Sequence, residues 1–97
     1  METRIENVTP YHLNGVILRW GFRLHMTEGA ASAFDDFYVR VPPGQEKALG
    51  AWKKSEVDSL IGDFIGHSGL AARLAAIVEE RKIQPVPGFK FARMEDE

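Results

Sequence analysis

From Val16 to Met26 every second residue is apolar: Val16, Leu18, Trp20, Phe22, Leu24, Met26. Between them stand Ile17, Arg19, Gly21, Arg23 and His25. A period of two over eleven residues predicts a strand with one buried face. Asn14-Gly15 precedes it, and this pair tolerates the two positive φ angles of a type I′ hairpin turn. Residues before the turn therefore return as a partner strand. Setting Leu13 against Val16 places Tyr11 opposite Leu18, Glu6 opposite Arg23 and Ile5 opposite Leu24. Pro10 falls in this first strand and cannot donate to a ladder, so the strand is expected at an edge or bent there.

A third strand is expected at Ala33 to Val41, rich in aromatic and β-branched residues and ended by Pro42-Pro43. Pairing Met26 with Ala33 sets Phe22 against Phe37, Trp20 against Val39 and Leu18 against Val41. On the other face Arg23 meets Asp36, and the Tyr38 ring covers Gly21. The same register places Arg19 opposite Arg40, a like-charge pair that costs stability.

The next forty residues change period. Val57, Leu60, Ile61, Phe64 and Ile65 follow helical spacing, with Ser55 as the expected N-cap and Glu56 and Asp58 beside it. Gly66 and Gly69 flank a break at His67-Ser68. Leu70, Leu74, Ile77 and Val78 form the next apolar face, with Arg81 and Lys82 in the last turn and Pro85 and Pro87 beyond. A shorter helical piece is expected from Gly44 to Trp52, bringing Leu49 and Trp52 to the core edge. Phe89 and Phe91 alternate with Lys90 and Ala92, which suggests a fourth strand within 86–93.

These elements predict a single α+β domain over residues 1–97. A three- to four-stranded antiparallel sheet (1–42) is covered on one face by a helical hairpin within 44–82, in the order βββαα. Residues 83–97 form a C-terminal extension or edge strand with an acidic tail. The length of 97 residues fits one domain. A formal charge of −2 gives no general attraction for phosphate backbones. With no cysteine, disulfides, thiolate metal sites and cysteine nucleophiles are excluded, which fits a reducing, cytoplasmic setting. The charged start METRIENVTP has no apolar signal-peptide core, and no apolar run approaches the ~20 residues of a membrane span.

Catalytic motifs are sparse. His12 and His25 lie about nine strand residues apart, or ~30 Å, too far to share an ion. His12, His25 and His67 show no ligand spacing, so no metal and no cofactor are expected. There is no nucleophile elbow and no phosphate-binding loop. Asp35 and Asp36 point to opposite faces of a strand and do not form an acid–base pair. Asp35, directed to the apolar side, is expected at the sheet rim or against a partner such as a helix-end amide. A helix-turn-helix reading of the two helices fails, because Arg73 is outweighed by Glu56, Asp58 and Asp63.

The open sheet face holds more promise. Glu6, Arg23 and Asp36 form a row across it, surrounded by Val8, Ile17, Phe34, Tyr38, Arg19, Arg40 and His25. Aromatics mixed with arginine are enriched at interface cores. The expected function is a non-enzymatic protein-interaction module, a small adaptor, regulator or inhibitor of a larger complex, using this face or a sheet edge. Its partner-binding residues are Arg19, Tyr38, Arg40, Arg23 and His25, and its partner is another protein or a second copy of the chain. The alternative is a nucleic-acid-binding domain using Arg19, Arg23, Arg40 and Tyr38.

Overall fold

Asn14 and Gly15 both take positive φ, 54° and 81°. They close β1 (Glu2–Leu13) onto β2 (Val16–Glu28), as the Asn-Gly signal predicts. Gly29, at φ 61°, and Ala30 make a second two-residue turn into β3 (Ala31–Arg40). A two-residue strand, β4 (Lys47–Ala48), pairs with the start of β2 beyond the end of β3. Then come one 3₁₀ turn (Leu49–Ala51), α1 (Lys54–Ser68) and α2 (Leu70–Lys82). This computed structural model describes residues 1–84 and 86–88. The possible strand at Phe89 and Phe91 lies outside them.

The antiparallel sheet runs β1-β2-β3, and every strand pairs with β2. The β2–β3 register matches expectation throughout: Met26↔Ala33, Phe22↔Phe37, Trp20↔Val39, Arg23↔Asp36, Gly21↔Tyr38 and Arg19↔Arg40. The β1–β2 register matches at both ends, with Leu13↔Val16, Glu6↔Arg23 and Ile5↔Leu24, but not between. Tyr11 faces Arg19, not Leu18. The cause is a pair of opposed bulges. One, at Asn7 (φ 56°), adds a residue to β1; the other adds Leu18 to β2, and the two cancel.

Each bulge exchanges sheet faces, because side chains alternate with period two. Tyr11 moves to the open face beside Arg19. Val8 moves to the helix side, where it lines a groove with Val57 and Ile61. Ile17 moves into the core at 2% exposure. Val8 and Ile17 therefore do not belong to the open face, contrary to the sequence reading. What remains there is arginines and aromatic rings with the acids Glu6 and Asp36 and with His25: Phe34 and Tyr38 stay about half exposed, at 53% and 52%.

Trp20, Phe22, Leu24 and Met26 from β2 and Ala31, Ala33, Val39 and Val41 form the sheet side of the core. Val57 and Ile61 from α1, and Leu70, Leu74 and Val78 from α2, form the other side. Gly69, at φ 74°, ends α1 and begins α2, so the expected break is a single residue and the helical pair bends there by 68°. Arg81 donates to the Ser32 carbonyl at 2.7 Å, and Lys82 bonds Glu28, so the last turn of α2 is tied to the β2–β3 turn.

The start of α1 differs from expectation. Ser55 lies inside the helix and is exposed, and the N-cap is Lys53. Glu56 does the capping: its Oε1 accepts from the Lys53 backbone N–H at 2.9 Å, and its Oε2 accepts from the Lys47 ammonium at 2.6 Å. Both contacts hold the Glu56 carboxyl below the usual glutamate range. Residues 44–52 form β4 and the 3₁₀ turn rather than a short helix, leaving Leu49 exposed. Trp52 still reaches the core edge, edge-to-face on Trp20 at 5.6 Å, with its Nε1 donating to the Lys47 carbonyl.

Both sheet edges are blunted. The Val41 N–H donates to the Leu18 carbonyl, which fixes the parity of the ladder. Ser32, Phe34, Asp36, Tyr38 and Arg40 therefore turn their backbone groups outward from β3. Two of those groups are already occupied: the Ser32 carbonyl by Arg81, and the Asp36 N–H by Asp35 Oδ1 at 2.8 Å. Asp35 is exposed at this rim, as expected. By the same parity Pro10, opposite Trp20, faces outward from β1, where its missing N–H costs nothing. No single helix among the described residues is long and apolar enough to cross a membrane.

Trp20 is 6% exposed in the centre of the core. Trp20→Ala should destabilise the fold by ~3–5 kcal/mol in denaturant melts; a loss below ~1 kcal/mol would contradict this packing. At the α1 start, Ser55→Ala should change stability by less than ~0.5 kcal/mol. Glu56→Gln should lower the melting temperature at neutral pH. Because the folded-state value of Glu56 is depressed, its contribution is fully present above the ordinary glutamate range and is lost as pH falls from there through the lower folded-state value. The melting curves of Glu56→Gln and the parent should therefore converge in acid.

Candidate functional site

The bulges assemble a cluster on the open face. The Arg19 guanidinium lies 4.5 Å from the centre of the Tyr38 ring and 5.1 Å from that of Tyr11. The two rings meet edge-to-face at 5.3 Å. Both rings fold over Gly21. A Cβ there would stand 2.8 Å from Tyr11 Cε2 and 3.2 Å from Tyr38 Cε1, so a residue without a side chain is what admits the pair. The neighbouring Tyr38 hydroxyl raises the Tyr11 phenol above its ordinary value, against the lowering influence of Arg19.

This geometry explains how the Arg19–Arg40 pair is tolerated. The parity of the ladder makes it a non-hydrogen-bonded pair, with Cα atoms ~4.5 Å apart and side chains close. A guanidinium over an exposed ring gains ~0.5–1 kcal/mol. That is the same order as the repulsion across a strand pair. Among the described residues neither Arg19 nor Arg40 forms an ion pair. Together with Tyr11, Tyr38, His12 and Leu18 they line a cleft of about 440 Å³.

The other two candidates share the face but are engaged within the chain. Arg23 donates from Nε to Asp36 Oδ1 at 2.8 Å and from Nη2 to Oδ2 at 3.3 Å, and it lies 4.2 Å from the Phe34 ring centre. This fork holds the Asp36 carboxyl below, and the Arg23 guanidinium above, its ordinary value. His25 packs edge-to-face on Phe34, with Nδ1 3.2 Å from Arg4 Nη2 and 3.5 Å from Glu6 Oε1. It accepts from Arg4 when neutral and pairs with Glu6 when protonated. Glu6 completes the expected row beside Arg23, yet its ion pairs are with Arg4 and His25.

Arg19, Tyr38 and Arg40 thus converge on one cleft; Arg23 lines the adjoining hollow, and His25, further along β2 opposite Arg4 and Phe34, lines neither. Tyr11 is the member that alternation alone assigns to the wrong face. Its one sequence cue is Asn7, a residue type that accepts positive φ.

Other hollows lie among the described residues. An apolar groove of about 570 Å³ runs between β1 and α1, lined by Ile5, Val8, Trp20, Trp52, Val57 and Ile61. Trp20 Nε1 is buried there without a partner among the described residues. A wider cleft of about 730 Å³ between residues 42–47 and α1 holds Glu56, already bonded to Lys47. The histidines are dispersed: His12 Nδ1 accepts weakly from Gly15 N–H at 3.4 Å, and His67 Nδ1 bonds the Asp63 carbonyl at 2.7 Å. Among the described residues no group of three or more His, Asp or Glu is placed to hold a metal ion. Comparison with protein-family models, with curated proteins and with solved structures gives no match to this chain.

Gly21→Ala tests the ring pair directly. The new methyl should force Tyr11 and Tyr38 apart, seen as altered NOEs between the two rings and a lower melting temperature. Unchanged ring contacts would contradict the close approach over Gly21.

Proposed function

We propose that this chain is a non-enzymatic protein-interaction module, an adaptor, regulator or inhibitor of a larger complex acting in the cytoplasm. It binds a protein partner, or a second copy of itself, through the open sheet face. The observation that carries this reading is the Arg19 guanidinium held between Tyr11 and Tyr38, with Arg40 across the strand and neither arginine in an ion pair among the described residues. Rigid aromatic rings and arginines are the side chains that dominate interface energetics. The blunted edges favour the face over strand addition as the docking mode. Arg23 and His25 serve at the rim, where their intramolecular partners keep them in place.

The nucleic-acid alternative has less behind it. Asp36 and Glu6 stand on the same face, and the formal charge of the chain is −2. A backbone-tracking groove needs a run of cations to neutralise successive phosphates.

The test is the double charge reversal Arg19→Glu with Arg40→Glu. Circular dichroism and a thermal melt check folding; sizing and a quantitative native pull-down read association. The expected result is a folded protein that has lost its protein partner or its self-association. Association equal to the parent's, with an intact fold, would reject the open face as the working surface. Loss of binding to a nucleic acid, with a steep salt dependence, would favour the alternative.

A further inference from the structure

Building on the open-face reading, we propose that the cleft between Arg19 and Arg40 is a receptor for a carboxylate side chain on an acidic segment of a partner protein. Three observations define the ligand. First, the cleft is cationic and locally unneutralised. Arg19 and Arg40 are rooted on adjacent strands in a close, non-hydrogen-bonded pair, and His12 lines the same wall. An oxyanion seated between the two guanidiniums would accept charge-assisted hydrogen bonds from both and relieve their repulsion.

Second, Arg19 is held by the two rings that flank it, so less side-chain freedom is lost when it takes up a ligand. Arg40 carries no such constraint among the contacts described and supplies the adjustable half of the clamp. Leu18 and the tyrosine rings give the wall an apolar side, suited to the neighbouring side chain of a peptide.

Third, the cationic region is short. On the other side of the Tyr11–Tyr38 pair lies a second, smaller hollow, containing Arg23 and Asp36. There the arginine is already neutralised by a bidentate carboxylate. A polyanion running along the face would pass from two arginines without an ion pair among the described residues onto Asp36 and Glu6. A single carboxylate meets only the favourable half. The arrangement selects an aspartate or glutamate of a protein over a phosphodiester chain. The Arg23–Asp36 pair, one step along the same sheet, shows the guanidinium–carboxylate geometry that the cleft would reproduce with an external acid.

The experiment uses the full chain, ¹⁵N-labelled, with three probes: a capped hexapeptide bearing two central glutamates, its glutamine counterpart, and single-stranded oligo-dT. The glutamate peptide should shift the Arg19 and Arg40 side-chain Nε–H signals and the Tyr38 amide in a saturable manner. Its glutamine counterpart should bind about tenfold more weakly or not at all, as should the glutamate peptide to Arg40→Gln. Arg73→Gln, at an exposed position of α2 on the helix side of the sheet, should leave affinity within about twofold. Amide dispersion confirms that each variant is folded. Failure of the glutamate peptide to bind, equal binding of the glutamine peptide, or undiminished binding to folded Arg40→Gln overturns the proposal. Tighter, strongly salt-dependent binding of oligo-dT at the same residues overturns it in favour of nucleic acid. The two readings fail separately. Loss of protein association in the double charge reversal without any peptide binding leaves the open-face module standing and removes the carboxylate receptor. Peptide binding with association untouched by the charge reversal removes the open-face module, and with it the assignment of the bound carboxylate to a protein partner.

Discussion

Each of the other described strands hydrogen-bonds to β2, and β2 has to satisfy both its edges while burying one face. That constraint organises the rest. Trp20, Phe22, Leu24 and Met26 present one continuous apolar strip, and the helical pair exists to cover it. The intervening residues are then forced outward together. Arg19, Gly21, Arg23 and His25 become a surface because their neighbours are a core. The chemistry of the open face is in this sense a by-product of strand alternation, shaped afterwards by the residues that β1 and β3 set beside it.

What was legible in the sequence follows the same logic. The β2–β3 register could be read because its pattern is unbroken: aromatic meets aromatic, Arg23 meets Asp36 and a ring meets Gly21. The helices were legible for their apolar spacing, and the bend at Gly69 for its glycine. The bulges were not, because two opposed bulges leave the outer register unchanged and alternation cannot reveal what cancels. The error stayed local and decided the faces of Val8, Tyr11 and Ile17, which is why the open face was expected to be more aliphatic than it is. The cap of α1 was misread for a different reason. Ser55 has the right chemistry, but Glu56 reaches both the Lys53 N–H and Lys47, and the second contact depends on a loop whose strand pairing no local pattern announces. Of the candidate site, Arg19, Tyr38 and Arg40 were visible through the cross-strand register, whereas Tyr11 needed the bulge.

The treatment of the edges complements the site. Pro10 and the Asn7 bulge disturb β1 as a template for strand addition, and Asp35 and Arg81 occupy outward-facing groups of β3. The same sheet leaves its broad face uncovered and aromatic. An open face combined with guarded edges directs association toward side-chain recognition and away from backbone pairing, which is the less selective and more aggregation-prone mode.

β1 is an edge strand: it pairs only with β2, and all but Glu6 and Pro10 along it are exposed. Yet it supplies Tyr11, one of the two rings that hold Arg19. Peeling β1 from β2 would therefore dismantle half of the guanidinium clamp without touching the buried core. Strand detachment of this kind is a local opening, distinct from global unfolding. Whatever binds at Arg19 and Tyr11 must favour the docked state of β1, so occupancy of the cleft and amide protection along residues 2–13 are thermodynamically linked quantities. The ligand would act as a latch on the strand, and the strand as a gauge of the ligand.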